Sequence, residues 1–468
     1  MTVQARRLWM PAAILGSVAV GLVAAWSFVL ALAFAETLVF VLAYRVAPWS
    51  VLVVPVAWAV LGDPVFLGMT GLTSSLTYRA LDLWTILGLG VFTLSSLGSS
   101  RARRVAGEPA GLGILIFWAS FAAAAVLDGV LAPSAPWVGE VRGLLAVGWF
   151  FMAASIVRTG QGRQVGRLFG LAILGMIVKG GIYWFMGTGV LDIGNLAGYR
   201  AFGSEEATAG LLLLAAGTGA ATAGKQAGRW PVYAMVCGTV LLTLSALRAF
   251  WLAGALMEIG ILAVGALSSA RRARRILAAL AGLCAVGALF FATIGNGLYE
   301  ASIAPRLSTL NSPATVLATD TSLGYRLIEW STVRQAVGSH VLLGRGLGAQ
   351  HRAVYWYNPG DPALWAELAG YVHNTFLWAF LKAGFLGVAA AVVLYGGFLV
   401  QTVRAARRSS SPGLRQVATS LSIAVLALVV VGLFNAHIAV VRYMIIVGLV
   451  FGTVAGLSLR DRGVGAPA

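Results

Sequence analysis

Four histidines are spread through this 468-residue chain, and one of them stands where an imidazole can do acid–base work. His373 is followed by Asn374 and then by the apolar run FLWAFLKAGFLG, so the pair forms the last polar step before a hydrophobic helix. It also closes the one long polar segment of the chain. A neutral imidazole accepts a proton near pH 7, so the chemistry to expect is proton transfer. His340 and His351 lie inside the polar segment and His437 at a later turn. No HExxH pattern, carboxylate cluster or cysteine pair accompanies His373, so neither a metal nor another cofactor is expected. Lys382 lies nine residues into the same helix, and spacing leaves its direction open.

Cations come next, because arginines on the outer side or within apolar runs go against the charge bias of a membrane chain, so something outside or within the bundle holds them. Arg248 interrupts the nearly continuous apolar run TLSALRAFWLAG, which must turn sharply around it. It is read either as a snorkelling helix-end arginine or as an anion ligand whose fork suits phosphate oxygens. Arg200 lies in NLAGYRAFGSEEATAG, with Glu205 and Glu206 opening the next helix. Those carboxylates suit the positive end of a helix dipole, or orient Arg200 or an acceptor hydroxyl. Arg326, in SLGYRLIEWSTVRQ, is either a solvated face residue or a third anion ligand. Tyr325, Trp330, Tyr355, Trp356, Tyr357, Trp365 and Tyr371 make this segment aromatic, as a membrane-interface belt or as sugar-stacking faces.

The elements that must hold these residues follow from composition. With 59% hydrophobic and 10% charged residues, the chain has too little polar surface for a soluble globule and reads as an all-α polytopic integral membrane protein. The net charge of +17 resides in short clusters between apolar runs rather than in one continuous patch, so no nucleic-acid partner is expected. Cys237 and Cys284 both sit in apolar segments and read as packing residues.

Apolar stretches at about 20 residues per span give 12–14 transmembrane helices. Two are expected within 8–44, since the first apolar run is too long for a cleaved signal core. The others fall near 48–67, 82–99, 110–131, 140–157, 168–187, 205–223, 230–247, 249–268, 276–294, 374–400, 416–434 and 438–458. Basic connections at 101–104, 158–167, 225–229, 271–275, 404–415 and 460–462 alternate with basic-poor ones at 68–81, 132–140 and 187–204. The positive-inside rule then puts both termini in the cytoplasm and 295–372 outside. The organisation expected is a bundle over 1–294, a large outer loop with short helices over 295–372, and the rest of the bundle over 373–468. In the loop, Leu327, Trp330, Val333 and Val337 recur at helical spacing, and Gly344-Arg345-Gly346-Leu347-Gly348 makes a turn.

Taken in order, these motifs resemble the O-antigen ligase and O-antigen polymerase superfamily. HNTFLWAFLKAG matches its His-Asn-x9-Gly signature with Gly384 as the glycine, and the large outer loop precedes it. The turn at Arg248 is similar to the family's Ser-Arg-Gly segment, YRAFGSEEATAG to its Arg-x-x-Gly segment, and GYRLIEWSTVRQAVGSHVLLGRGLG to its Arg-x3-Trp helix and glycine turn. Departures are the two residues between Ser245 and Arg248, and Glu205-Glu206 where the family often has Asn-Pro-Asn.

The resemblance implies a metal-independent, inverting glycosyltransferase of the bacterial cytoplasmic membrane. Its partners would be an undecaprenyl-diphosphate-linked glycan donor, a glycan or glycolipid acceptor, and membrane lipids. In that reading His373, Arg248 and Arg326 are catalytic, and Arg200, Glu205, Glu206, Asn374 and Tyr325 bind substrate. A ligase is preferred over a polymerase that joins lipid-linked repeats. A lipid-linked glycan flippase is a different class of reading, which the lack of an inverted repeat disfavours.

Overall fold

The computed structural model describes residues 28–62, 74–127, 136–185, 202–222, 228–245, 247–271, 273–274, 276–278, 280–282, 321–351 and 372–464. Arg200, the first expected span and nearly all of the span at 276–294 lie outside them, as do the 294/295 boundary and most of the outer loop. Among the described residues every regular element is helical, and the all-α polytopic class holds.

In chain order the helices are α1 (Phe28–Val46), α2 (Val53–Leu61), α3 (Ser74–Gly98), α4 (Ser100–Ala106), α5 (Pro109–Leu127), α6 (Pro136–Ala146), α7 (Trp149–Ile156) and α8 (Gly162–Phe185). They continue as α9 (Ser204–Thr222), α10 (Trp230–Leu244), α11 (Arg248–Ser268), α12 (Thr321–Val337), α13 (Thr375–Arg408), α14 (Pro412–Gly432) and α15 (Val441–Val464). A hydrocarbon slab offers the backbone no partners, so these apolar segments satisfy their amides internally as helices. Proline opens α5, α6 and α14, where its missing N–H costs nothing.

Six stretches are long and apolar enough to cross a membrane: Ala80–Gly98, Glu140–Tyr183, Arg248–Leu267, Thr375–Arg408, Pro412–Gly432 and Val441–Arg462. Shorter apolar helices accompany them at Pro48–Leu61, Pro109–Ala125 and Trp230–Leu244. The stretch Glu140–Tyr183 bends at Gly160, whose φ of 100° is not helical, within the basic 158–167 connection.

Small residues let the helices approach closely, as membrane packing favours. Gly448, Gly452 and Gly456 of α15 form a stripe against the backbone of Val147, Phe150 and Ala154 on and just before α7. Gly210 of α9 faces Gly238 of α10, and Gly113 of α5 faces Gly397 of α13. The chain after the outer segment therefore threads back among the earlier helices. α13 packs on α5, α14 on α9 and α11, and α15 on α7 and α6.

Candidate active site

His373 sits immediately before α13, and the local fold there is set by its neighbour. Asn374 is the N-cap: its Oδ1 accepts from the amides of Phe376 (2.8 Å) and Leu377 (3.0 Å), two of the orphan donors of the first turn. Its Nδ2 donates to the carbonyl of Leu433 at 2.9 Å. Thr375 continues the anchorage, donating to the Asn435 carbonyl (2.8 Å) and accepting from the His437 amide (3.1 Å). The start of α13 is thus bolted to the turn at 433–440.

Ten residues further on, α13 breaks at Ala383–Gly384, where Gly384 takes φ 57° and ψ −150°. That conformation is essentially reserved for glycine. The amides and carbonyls freed by the break are taken up by the turn after α12. Arg345 and Gly346 donate to the carbonyls of Leu381 (2.8 Å) and Lys382 (3.0 Å), while Phe385 and Leu386 donate to those of Val341 (2.8 Å) and Leu342 (3.2 Å). The approach is so close that a Cβ on Gly344 (φ 74°) would lie 2.5 Å from the Ala383 nitrogen. The glycine of the His-Asn-x9-Gly pattern is therefore the docking point of the outer turn.

The outer helix reaches the histidine from the other side. Glu329 on α12 is 1% exposed, and its Oε1 lies 3.1 Å from His373 Nδ1. Its Oε2 accepts from the His373 backbone amide at 2.8 Å. The imidazole itself is 35% exposed, so the ring is held against a buried carboxylate and still reaches the surface. Behind Glu329, Thr332 donates to the Glu329 carbonyl (3.0 Å) and lies 3.2 Å from Nδ1 of the buried His351.

This corrects the expected face of α12. Glu329, Val333 and Val337 point inward at i, i+4, i+8, whereas Trp330 is 46% exposed. A buried carboxylate occupies a place that apolar periodicity assigned to a tryptophan, because a hydrogen-bonding partner waits there.

The turn at 433–440 gathers the cations. The Arg326 guanidinium stands over the Phe434 ring at 5.6 Å. Arg248 is the first residue of α11, which starts after the expected sharp turn: Ser245 donates to Leu242 O (2.7 Å), and Leu247 is extended. A cation at a helix N-terminus opposes the dipole, so helix stability does not account for this arginine. Two residues on, Phe250 meets the ring of His437 edge-on at 5.5 Å. His437 is fully buried and stacked on Tyr443 at 4.2 Å, and burial pushes its imidazole down to about 3. It is a neutral packing ring. Arg248, Arg326 and His373 thus stand on three elements that converge on one turn at one end of the bundle.

The two glutamates divide. Glu206 is fully buried: its Oε2 accepts from the Gly203 amide (2.9 Å), which is one half of a capping box, and its Oε1 takes Lys179 Nζ at 2.5 Å and the Arg442 guanidinium. Arg442 also donates to the Ala59 carbonyl at 3.1 Å, so the knot joins α2, α8, α9 and α15. Glu205 lies 3.6 Å from Arg442 and is 17% exposed, the more open carboxylate of the pair. Lys382 is committed to an ion pair with α6. It is buried against Glu140 of α6 (2.6 Å) and the Ala349 carbonyl, and Glu140 in turn accepts from the Gly348 amide at 2.7 Å.

Of the residues singled out from sequence, the structure gathers His373, Asn374, Arg326 and the Arg248 turn around 433–440, and it sets Glu206 in an interhelical ion knot. Tyr325 lies on α12 with its side chain outside the described residues, as is all of Arg200. Glu329 was missed, although it stands inside the quoted Arg-x3-Trp segment; a carboxylate one turn after Arg326 was the available signal.

Residues 233–392 match the O-antigen ligase family model. The matched segment carries Arg248, Arg326, Glu329, His373 and Gly384, and it falls in the superfamily that the motifs resemble. No curated protein matches the chain.

Proposed function

We propose that this chain transfers a glycan from an undecaprenyl-diphosphate carrier to an acceptor hydroxyl at the outer face of the bacterial cytoplasmic membrane. The acceptor oxygen attacks the anomeric carbon as its proton passes to His373. The bond from that carbon to the diphosphate oxygen breaks, and a single displacement inverts the configuration. The diphosphate leaves as an anion. Arg248, Arg326 and Arg200 hold that charge, which places their contribution at the transition state. Glu205 and Tyr325 are assigned to substrate contact in this reading. Asn374 fixes the chain from which His373 projects, and Glu206 holds the end of α9 beneath Glu205.

The observation that carries this reading is the convergence on the 433–440 turn of one half-open imidazole and two arginine-bearing helix segments. A lipid diphosphate needs cations beside apolar surface, and Arg248, the first residue of α11, and Arg326, in the first half of α12, suit that need. The organisation that goes with this reading is one bundle, 1–294 with 373–468, beneath an outer cover at 295–372. A foreign acceptor, as for a ligase, is preferred over a second lipid-linked repeat.

Transfer of labelled glycan in reconstituted membranes tests the proposal. His373→Ala and Arg248→Ala should each lose about 10²-fold or more of turnover, the usual worth of a positioned base or a charge-stabilising donor. Near-normal turnover in both would sink the mechanism. A ladder of growing products in place of a single transfer would assign the polymerase acceptor instead.

A further inference from the structure

We propose that Glu329 is the positioning residue of the general base: it fixes the tautomer of His373 and balances the imidazolium formed when the acceptor proton arrives. This rests on the general-base reading above. The geometry is specific. One carboxylate meets two nitrogens of the same residue, accepting from the His373 backbone amide at 2.8 Å and lying 3.1 Å from ring Nδ1. An ionised carboxylate only accepts hydrogen bonds, so the ring proton sits on Nδ1 and the lone pair on Nε2. Nε2 is then the atom that takes the proton. A carboxylate 1% exposed would be costly without a charge-assisted role, and an imidazolium at Nδ1 supplies one during the transfer.

The same helix carries a second consequence. Glu329 follows Arg326 by three residues, one turn along α12. One rigid turn therefore registers the base, through Glu329, against the departing diphosphate, through Arg326. The α12 segment is held in place by the Gly344–Gly346 contacts at the Gly384 break and by the Gly348 amide on Glu140. The outer helix is in this sense part of the catalytic apparatus, and not only a cover for it.

Glu329→Gln is the decisive substitution because it keeps size and shape. The amide offers one acceptor and one donor group to two N–H groups, so it cannot receive both, and the ring is driven toward the tautomer with its proton on Nε2. Three measurements on full-length protein in proteoliposomes separate the outcomes. Turnover of labelled donor should fall on the order of 10²- to 10⁴-fold in kcat, the scale seen when a base-orienting carboxylate becomes an amide, with donor KM within about twofold. Nitrogen-15 spectra of labelled histidine, assigned by subtraction of a His373→Gln sample, should show Nδ1–H in the wild type and its loss in Glu329→Gln. Glu329→Asp should recover part of kcat.

Unchanged kcat in Glu329→Gln overturns the proposal. So does a loss of activity in which the tautomer persists and the thermal midpoint collapses, since that is the signature of a structural residue. If His373→Ala turns over normally, the general-base reading itself falls. The tautomer spectrum then reports separately whether Glu329 holds the ring.

Discussion

At the residue scale, Asn374 shows how a motif position can be tied to chemistry without touching substrate. Its single amide caps two N–H groups of α13 and grips the Leu433 carbonyl, fixing both the start of the helix and the distance to the turn beneath the arginines. Removing an N-cap costs about 1–2 kcal/mol, and the stranded Leu433 carbonyl adds to it. Asn374→Ala should therefore lower the thermal midpoint in detergent and reduce transfer with it. Asn374→Asp keeps the two caps but loses the donor to Leu433, and it should fall between. An alanine variant as stable as wild type would remove the capping account. The His-Asn pair was legible in the sequence because an asparagine before a long apolar run is an N-terminus signal. Its use as a cap follows from the same signal, whereas the substrate role came with the family. Glu329 was not legible as a partner: its contact with His373 spans 44 positions, and no local period marks it.

At the element scale, the break in α13 decides how the outer segment meets the bundle. A continuous helix of 34 residues would be about 50 Å long, more than one bilayer core needs. The break at Ala383–Gly384 instead exposes backbone groups that the 341–346 turn saturates. Gly384→Ala places a Cβ 2.5 Å from the Leu342 and Val341 carbonyl oxygens and forces a glycine-only conformation, which alone costs about 1–3 kcal/mol. The expected result is an inserted, folded bundle whose outer turn has come away. Limited proteolysis should cut near 341–348 at least tenfold faster than in wild type, and transfer should fall because α12 no longer presents Glu329. Equal proteolysis rates would show that the docking survives without the glycine. Hydropathy located these helices well because lipid imposes one strong rule on the backbone. It gave no warning of the break, since an apolar run reads the same whether straight or interrupted.

At the scale of the whole molecule, the ion pairs between described residues fall into two groups, and small residues pack the helices between them. One group holds Glu206 with Lys179 and Arg442, Glu140 with Lys382, and Asp82 with Arg142 at 2.7 Å, beside the His373 site. The other holds Glu108 with Arg462 at 2.9 Å and Asp461 on the Ser409 and Ser410 hydroxyls. Arg142 and Arg442 are matched by carboxylates across helices, pairings that separation along the chain conceals. The mechanism requires the end that carries Arg248, Arg326 and His373 to face outward, where lipid-linked glycan is displayed. The exposed positions His340, in the outer turn, and Arg408, at the far end of α13, read this out. In a background with Cys237→Ala and Cys284→Ala, a membrane-impermeant maleimide added to intact spheroplasts should label His340→Cys and leave Arg408→Cys untouched until the membrane is opened. The reverse pattern would place Arg248, Arg326 and His373 in the cytoplasm, facing the wrong pool of lipid diphosphate, and would overturn the proposed reaction without altering a single contact of the fold.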